Sequence, residues 1–153
     1  MYNIIYYLTC LLFINPDNQN SYVNKYYSVA YICEIVYGVP TSIQLSQAIQ
    51  ESGGGKSNIS INSNNHFGIK YYKTEYNGEF YIDRKGIKWR SYKTVIESYI
   101  DHAKFLNKHY KNLCFKGYKA WSKAKGYGEM NYWPQIIRII EKRNYNKLDI
   151  YEN

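Results

Sequence analysis

A helix forced to end at an acid constrains this chain more than any other feature. Residues 42–52 read as helix, and Gly53-Gly54-Gly55 then breaks it. Glu51 therefore stands in the last turn, where the negative end of the helix dipole disfavours a charged carboxylate and tends to raise its pKa. A carboxylic acid kept protonated near neutral pH suits proton donation. Gln44, Gln47, Ala48 and Glu51 lie three or four residues apart and share one mostly polar face. That face is expected to form a cleft wall or to meet solvent, with Thr41 capping the helix.

Apolar periodicity places the other elements. Val23, Tyr26, Ala30, Cys33 and Tyr37 recur at helical spacing over 21–37, and Gly38 and Pro40 stop that helix. Phe80 and Ile82, then Ile87 and Trp89, alternate with polar or aromatic neighbours around Asp83-Arg84-Lys85-Gly86, which reads as a hairpin. Thr94 to Glu97 is a capping box opening a helix whose buried stripe is expected to be Val95, Ile96, Tyr99, Ile100, Ala103, Leu106 and Tyr110. Tyr118, Trp121 and Ala124 mark a short helix ended by Gly126. A last helix begins near Pro134 and carries Ile136, Ile137, Ile139 and Ile140. The expected fold is α+β, mostly helical, with one small hairpin.

A chain of 153 residues fits one domain and buries about 70% of its unfolded surface. Three cysteines, Cys10, Cys33 and Cys114, make at most one pair, and Cys33 is expected to be a buried free thiol. A net charge of +8 favours an anionic partner. The basic residues are spread along the chain and form no nucleic-acid-binding signature, so no nucleic acid is expected. The apolar run 4–14 is too short to span a bilayer. Residues 1–20 are read as an apolar amino-terminal segment, either a buried element or an export signal, ahead of a domain at 21–153. His102 and His109 are seven apart, unlike a zinc-binding i, i+4 pair; surface histidines are expected, with no metal and no cofactor.

Two segments carry a specific resemblance. Ala48 to Ser52, with Glu51 before serine and glycine, is followed by Asn64-Asn65-His66-Phe67-Gly68-Ile69-Lys70. Both resemble the glucosaminidase domain of glycoside hydrolase family 73, peptidoglycan hydrolases related to mannosyl-glycoprotein endo-β-N-acetylglucosaminidase. The likeness continues through Trp89-Arg90-Ser91-Tyr92, residues 101–106, Gly126-Tyr127 and Tyr132, and so covers roughly 21–150. It implies a lysozyme-like fold with the hairpin beside the cleft. It also implies Glu51 as proton donor and a second carboxylate from the hairpin region. Glu75, Glu79 and Asp83 compete for that role, and alignment of Tyr76-Asn77-Gly78 favours Asp83 at the hairpin tip. The substrate's own N-acetyl group is the alternative.

Asn65, Phe67 and Tyr127 are expected to contact substrate, Phe67 as core on one side and cleft floor on the other. Asn64 is as well suited to bracing its loop. Where the family often carries tryptophan after Glu-Ser-Gly, this chain has Gly54. The function implied is cleavage of the β-1,4 bond between N-acetylglucosamine and N-acetylmuramic acid. A monomer acting on peptidoglycan in the periplasm or outside the cell is expected, and the small size suits a phage endolysin. A muramidase or lytic transglycosylase is the alternative reaction, and an inactive cell-wall-binding module the alternative of another class.

Overall fold

The computed structural model describes residues 21–126 and 131–151. Among these residues five α-helices run in the order α1 (Ser21–Tyr37), α2 (Thr41–Ser52), α3 (Asn58–Ser63), α4 (Val95–His109) and α5 (Tyr132–Arg143). Between α3 and α4 lies one antiparallel hairpin, β1 (Phe80–Ile82) and β2 (Lys88–Arg90), in register Phe80–Arg90, Tyr81–Trp89, Ile82–Lys88. Two 3₁₀ turns, Tyr118–Lys123 and Tyr145–Leu148, flank α5. Mostly helical with one small hairpin, the fold is the expected α+β class.

Helix α2 runs through the middle, against α1 on one side and α5 on another. Every residue from Thr41 to Ala48 is buried, polar ones included. The polar face of α2 was expected to line a cleft or meet solvent, and instead it is largely interior. Gln44 donates to the carbonyls of Ala30 and Val39, and Gln47 donates to the Tyr132 hydroxyl at 3.1 Å. Polar side chains enter a core when neighbouring elements present partners to them, and here α1, the α1–α2 turn and α5 do so.

The cap of α2 also differs from expectation. Thr41 is the first helical residue, and Pro40 at the cap offers no side-chain bond. Capping comes instead from distant carboxylates. Glu34 accepts from the Thr41 amide at 2.9 Å and its hydroxyl at 2.7 Å, and Asp149 accepts from the Ser42 amide and hydroxyl, both at 2.6 Å. Carboxylates satisfy the free amides there and complement the positive end of the helix dipole. Glu34 also accepts from the amides of Ile150 and Tyr151, which fastens the last turn of chain to the same point.

Helix α4 opens as expected, Thr94 Oγ1 accepting from the Glu97 amide at 3.3 Å. Its stripe is rotated. Tyr99, Ala103 and Leu106 are buried together with Ser98 and His102, whereas Ile96 is 53% exposed. His102 takes the core position because its ring stacks on Phe67, centroids 3.8 Å apart at 8°. His66 is buried as well, its Nδ1 2.6 Å from the Tyr22 hydroxyl. Two of the three histidines expected at the surface are therefore interior, and only His109 is exposed. Burial lowers the pKa of His102 to about 3 and that of His66 to about 4, so both rings are neutral at physiological pH. Cys33 is a buried free thiol, as expected.

Candidate active site

Helix α2 delivers Glu51 to the surface at its carboxyl-terminal end. Gly53, Gly54 and Gly55 follow with φ of +61°, +68° and +81°, a left-handed run that only glycine adopts without strain. The Gly54 amide closes the helix on the Ile49 carbonyl, and Ser52 Oγ accepts from the Gly55 amide at 2.7 Å. Beneath the loop Tyr99 donates to Tyr22, whose hydroxyl meets His66. A Cβ on Gly55 would stand 3.1 Å from His66 Cε1. This packed layer fixes the turn that carries the acid.

Glu51 is exposed toward solvent, yet the protein behind it removes enough water to push its carboxyl above the ordinary range. Burial is the main cause, and the last-turn carbonyls act in the same direction. The Tyr132 hydroxyl opposes the shift by hydrogen-bonding the carboxylate. Gln47, one turn before Glu51, donates to that same hydroxyl, which directs its proton toward Glu51. Tyr132→Phe should therefore raise the Glu51 pKa further. For any reaction in which Glu51 gives up a proton, the alkaline limb of the pH–rate profile should move to higher pH. An unmoved limb would show that the hydroxyl does not set the acid.

The hairpin comes close to Glu51 at Gly68. Gly68, at φ +60°, leaves a gap: a Cβ there would lie 3.8 Å from Glu51 Oε2 and 3.9 Å from Trp89 Cζ3. Acid and indole thus border one space. Trp89 also lines a groove of about 500 Å³ between the hairpin and α3, walled by Tyr81, Asp83, Asn58 and Asn62 among others.

The remaining expected site residues divide. Asn65 is buried, and its side chain is fully used within its own loop and against β2. Its amide nitrogen donates to the carbonyls of Ile69 and Arg90, and its oxygen accepts from the amides of Phe67 and Ile69. Phe67 is 2% exposed, between His102 and Tyr99. In this structure both side chains are engaged inside the protein, holding the turn that leads to Gly68. Asn64, in the left-handed region, braces the same loop through the carbonyls of Tyr92 and Lys93. Tyr127 lies outside the described residues.

Asp83 is at the hairpin turn, and both its oxygens are engaged. Oδ1 accepts from the amides of Lys85 (2.8 Å) and Ile87 (3.0 Å), and Oδ2 from Trp89 Nε1 (2.9 Å). These bonds, that from Trp89 foremost, hold its pKa below the usual carboxylate value. Glu75 pairs with Arg90 at 3.3 Å, and Arg90 in turn meets Asp101 of α4 at 2.8 Å, tying hairpin to helix. Among the described residues no group of three His, Cys, Asp or Glu side chains is placed to hold a metal.

The family model of glucosaminidases, described as mannosyl-glycoprotein endo-β-N-acetylglucosaminidase, matches residues 27–145. The chain belongs to the glucosaminidase family. The match embraces Glu51, the Gly68 turn, the hairpin and Tyr132. The exo-glucosaminidase LytG of Bacillus subtilis is 31% identical over 87% of the chain. The chain spans about half of that relative's length, 54%. Among solved structures, the catalytic domain of the autolysin Auto from Listeria monocytogenes superposes with a TM-score of 0.71 at 24% identity, covering 97% of both chains. The glycoside hydrolase domain of Salmonella typhimurium FlgJ gives 0.66 at 24% identity over 82% of this chain and 88% of its own. A peptidoglycan hydrolase from Sphingomonas sp. A1 gives 0.66 at 21% over 88% and 97%. At these identities the likeness shows a shared fold.

Tyr132, part of the sequence resemblance but given no role there, is the residue that the structure adds beside Glu51. It stood in the sequence beside Asn131 ahead of the isoleucine-rich helix, but nothing in its spacing tied it to Gln47 and Glu51.

Proposed function

We propose that the chain hydrolyses peptidoglycan at the β-1,4 bond between N-acetylglucosamine and N-acetylmuramic acid, with Glu51 as the proton donor. The observation that carries this is Glu51 itself: a carboxyl with raised pKa, aimed by Tyr132, opening onto a space shared with an indole. Glu51 protonates the glycosidic oxygen as the bond to C1 breaks, and its carboxylate then takes a proton from the incoming water.

The second role falls to the substrate. Asp83 was the expected carboxylate, but both its oxygens are committed to the hairpin and to Trp89. The acetamido oxygen of the bound N-acetylglucosamine can attack C1 as the leaving group departs, and water then opens the resulting ring. A net charge of +8 favours capture of the anionic wall. In this reading residues 21–153 are the catalytic unit, active as a monomer on cell wall outside the cytoplasmic membrane.

Digestion of purified peptidoglycan followed by mass spectrometry of borohydride-reduced products tests the reading. New N-acetylglucosamine reducing ends are expected. Muramyl reducing ends would make the chain a muramidase, and anhydro-muramyl ends a lytic transglycosylase. Intact peptidoglycan would leave a wall-binding module.

A further inference from the structure

We propose that Trp89 is the aromatic wall on which a pyranose ring of the glycan stacks beside Glu51, and that Asp83 is a positioning residue that holds the indole in place. The proposal rests on the reading of Glu51 as the acid of a glycan-cleaving site. Gly53, Gly54 and Gly55 offer no side chain on the helix side of that acid. An apolar surface for a sugar's C–H face is supplied by the hairpin, where Trp89 lies beside Gly68 with Glu51.

The backbone of Trp89 is held on both edges. It pairs with Tyr81 in the hairpin and forms a bridge with Lys70 on the other side. Flanking bonds from Tyr71 to Lys88 and from Arg90 to Ile69 secure that second edge. Only the side-chain torsions of Trp89 are left, and the bond from Nε1 to Asp83 Oδ2 fixes them. Asp83 is fixed in turn by the two amides on Oδ1. Its depressed pKa keeps the acceptor ionised across neutral pH. Trp89 also walls the groove beside α3, where Asn58, Asn62 and Tyr81 supply polar groups for the hydroxyls of a further sugar.

Asparagine at 83 cannot reproduce this arrangement. It has one carboxamide oxygen, which either keeps the two turn amides and sets an NH₂ against the indole N–H, or releases the turn. A double-mutant cycle of Asp83→Asn and Trp89→Phe on soluble peptidoglycan fragments separates the roles. Asp83→Asn alone should raise KM roughly 3- to 10-fold, the size of one aromatic contact, with kcat within about twofold. In the Trp89→Phe background, which has no indole N–H to hold, Asp83→Asn should add nothing. If Asp83 is instead a nucleophile or base, kcat falls about 100-fold or more in both backgrounds and the proposal is overturned.

Binding gives a readout independent of turnover. Trp121 and Trp133 are buried, so fluorescence changes on adding β-1,4-linked N-acetylglucosamine oligosaccharides report Trp89. The change should be present in wild type, weaker in Asp83→Asn and absent in Trp89→Phe. Persistence in Trp89→Phe, or no change in wild type, overturns the aromatic wall. Wild type that binds these sugars but leaves peptidoglycan intact would retain the wall and overturn the hydrolase reading.

Discussion

Glu51→Gln is expected to lower peptidoglycan turnover by at least about 100-fold, the usual share of a general acid, with the fold intact. The amide is nearly isosteric and can still meet the Tyr132 hydroxyl, but it has no proton of suitable acidity to give. The same substitution should not destabilise the protein at neutral pH. Burial raises the Glu51 pKa, so the folded state favours the protonated acid over the carboxylate. Stability from that group is fully present below the unfolded carboxylate pKa and is lost as pH rises through the raised folded value. Glutamine removes this pH-dependent loss. The melting temperature of Glu51→Gln relative to wild type should therefore rise between acidic and neutral pH. Parallel activity assays and thermal melts at several pH values check both halves. Retention of more than about a tenth of wild-type turnover would remove Glu51 from the acid role.

Glu34→Gln should produce the largest loss of stability. Glu34 is fully buried, and its two oxygens accept from the Thr41 amide and hydroxyl and from the amides of Ile150 and Tyr151. Glutamine replaces one acceptor with an NH₂ that confronts two donors and leaves them unsatisfied. A cost of about 2–4 kcal/mol is expected for that loss in a buried site. For a chain of this length the melting temperature should fall by roughly 5–15 °C. Thermal unfolding followed by circular dichroism measures it. Easier proteolysis after α5 would accompany the fall, because Glu34 holds the last turn. Below its melting temperature the variant should keep its activity, since Glu34 sits at the opposite end of α2 from Glu51. A melting temperature within about 1 °C of wild type would mean that the four bonds add nothing net.

These two glutamates illustrate what local pattern conveys. Glu51 could be read from the chain because a glycine run after a helix fixes where the helix ends and what its last turn feels. The hairpin and the starts of α1 and α4 were readable for the same reason: strand alternation, helical spacing and a Thr–Glu capping pair act over a few residues. Glu34 carried no such mark. Its partners are 7 and 116 residues away in sequence, and only the packed chain brings them together. Helix α3 was missed because Asn58–Ser63 has almost no apolar stripe. It is held by Ser57, whose side chain accepts from the Ser60 amide.

The sequence alone settled the family resemblance, the helical class and the place of Glu51 at the end of its helix, all of which follow from short-range chemistry. Tertiary packing decided which polar groups are buried. Gln44, Gln47 and Asn65 look like cleft residues by type, yet the core supplies partners that take them inside. Phe67 looks like a cleft floor, yet His102 and Tyr99 enclose it. Tyr132 reaches Gln47 and Glu51, and Trp89 comes close to Gly68 beside Glu51, because segments distant in sequence pack together. Hydrophobic burial is non-directional and fixes only that residues pack. Hydrogen-bond geometry across distant segments chooses what points where, and no one-dimensional spacing encodes it.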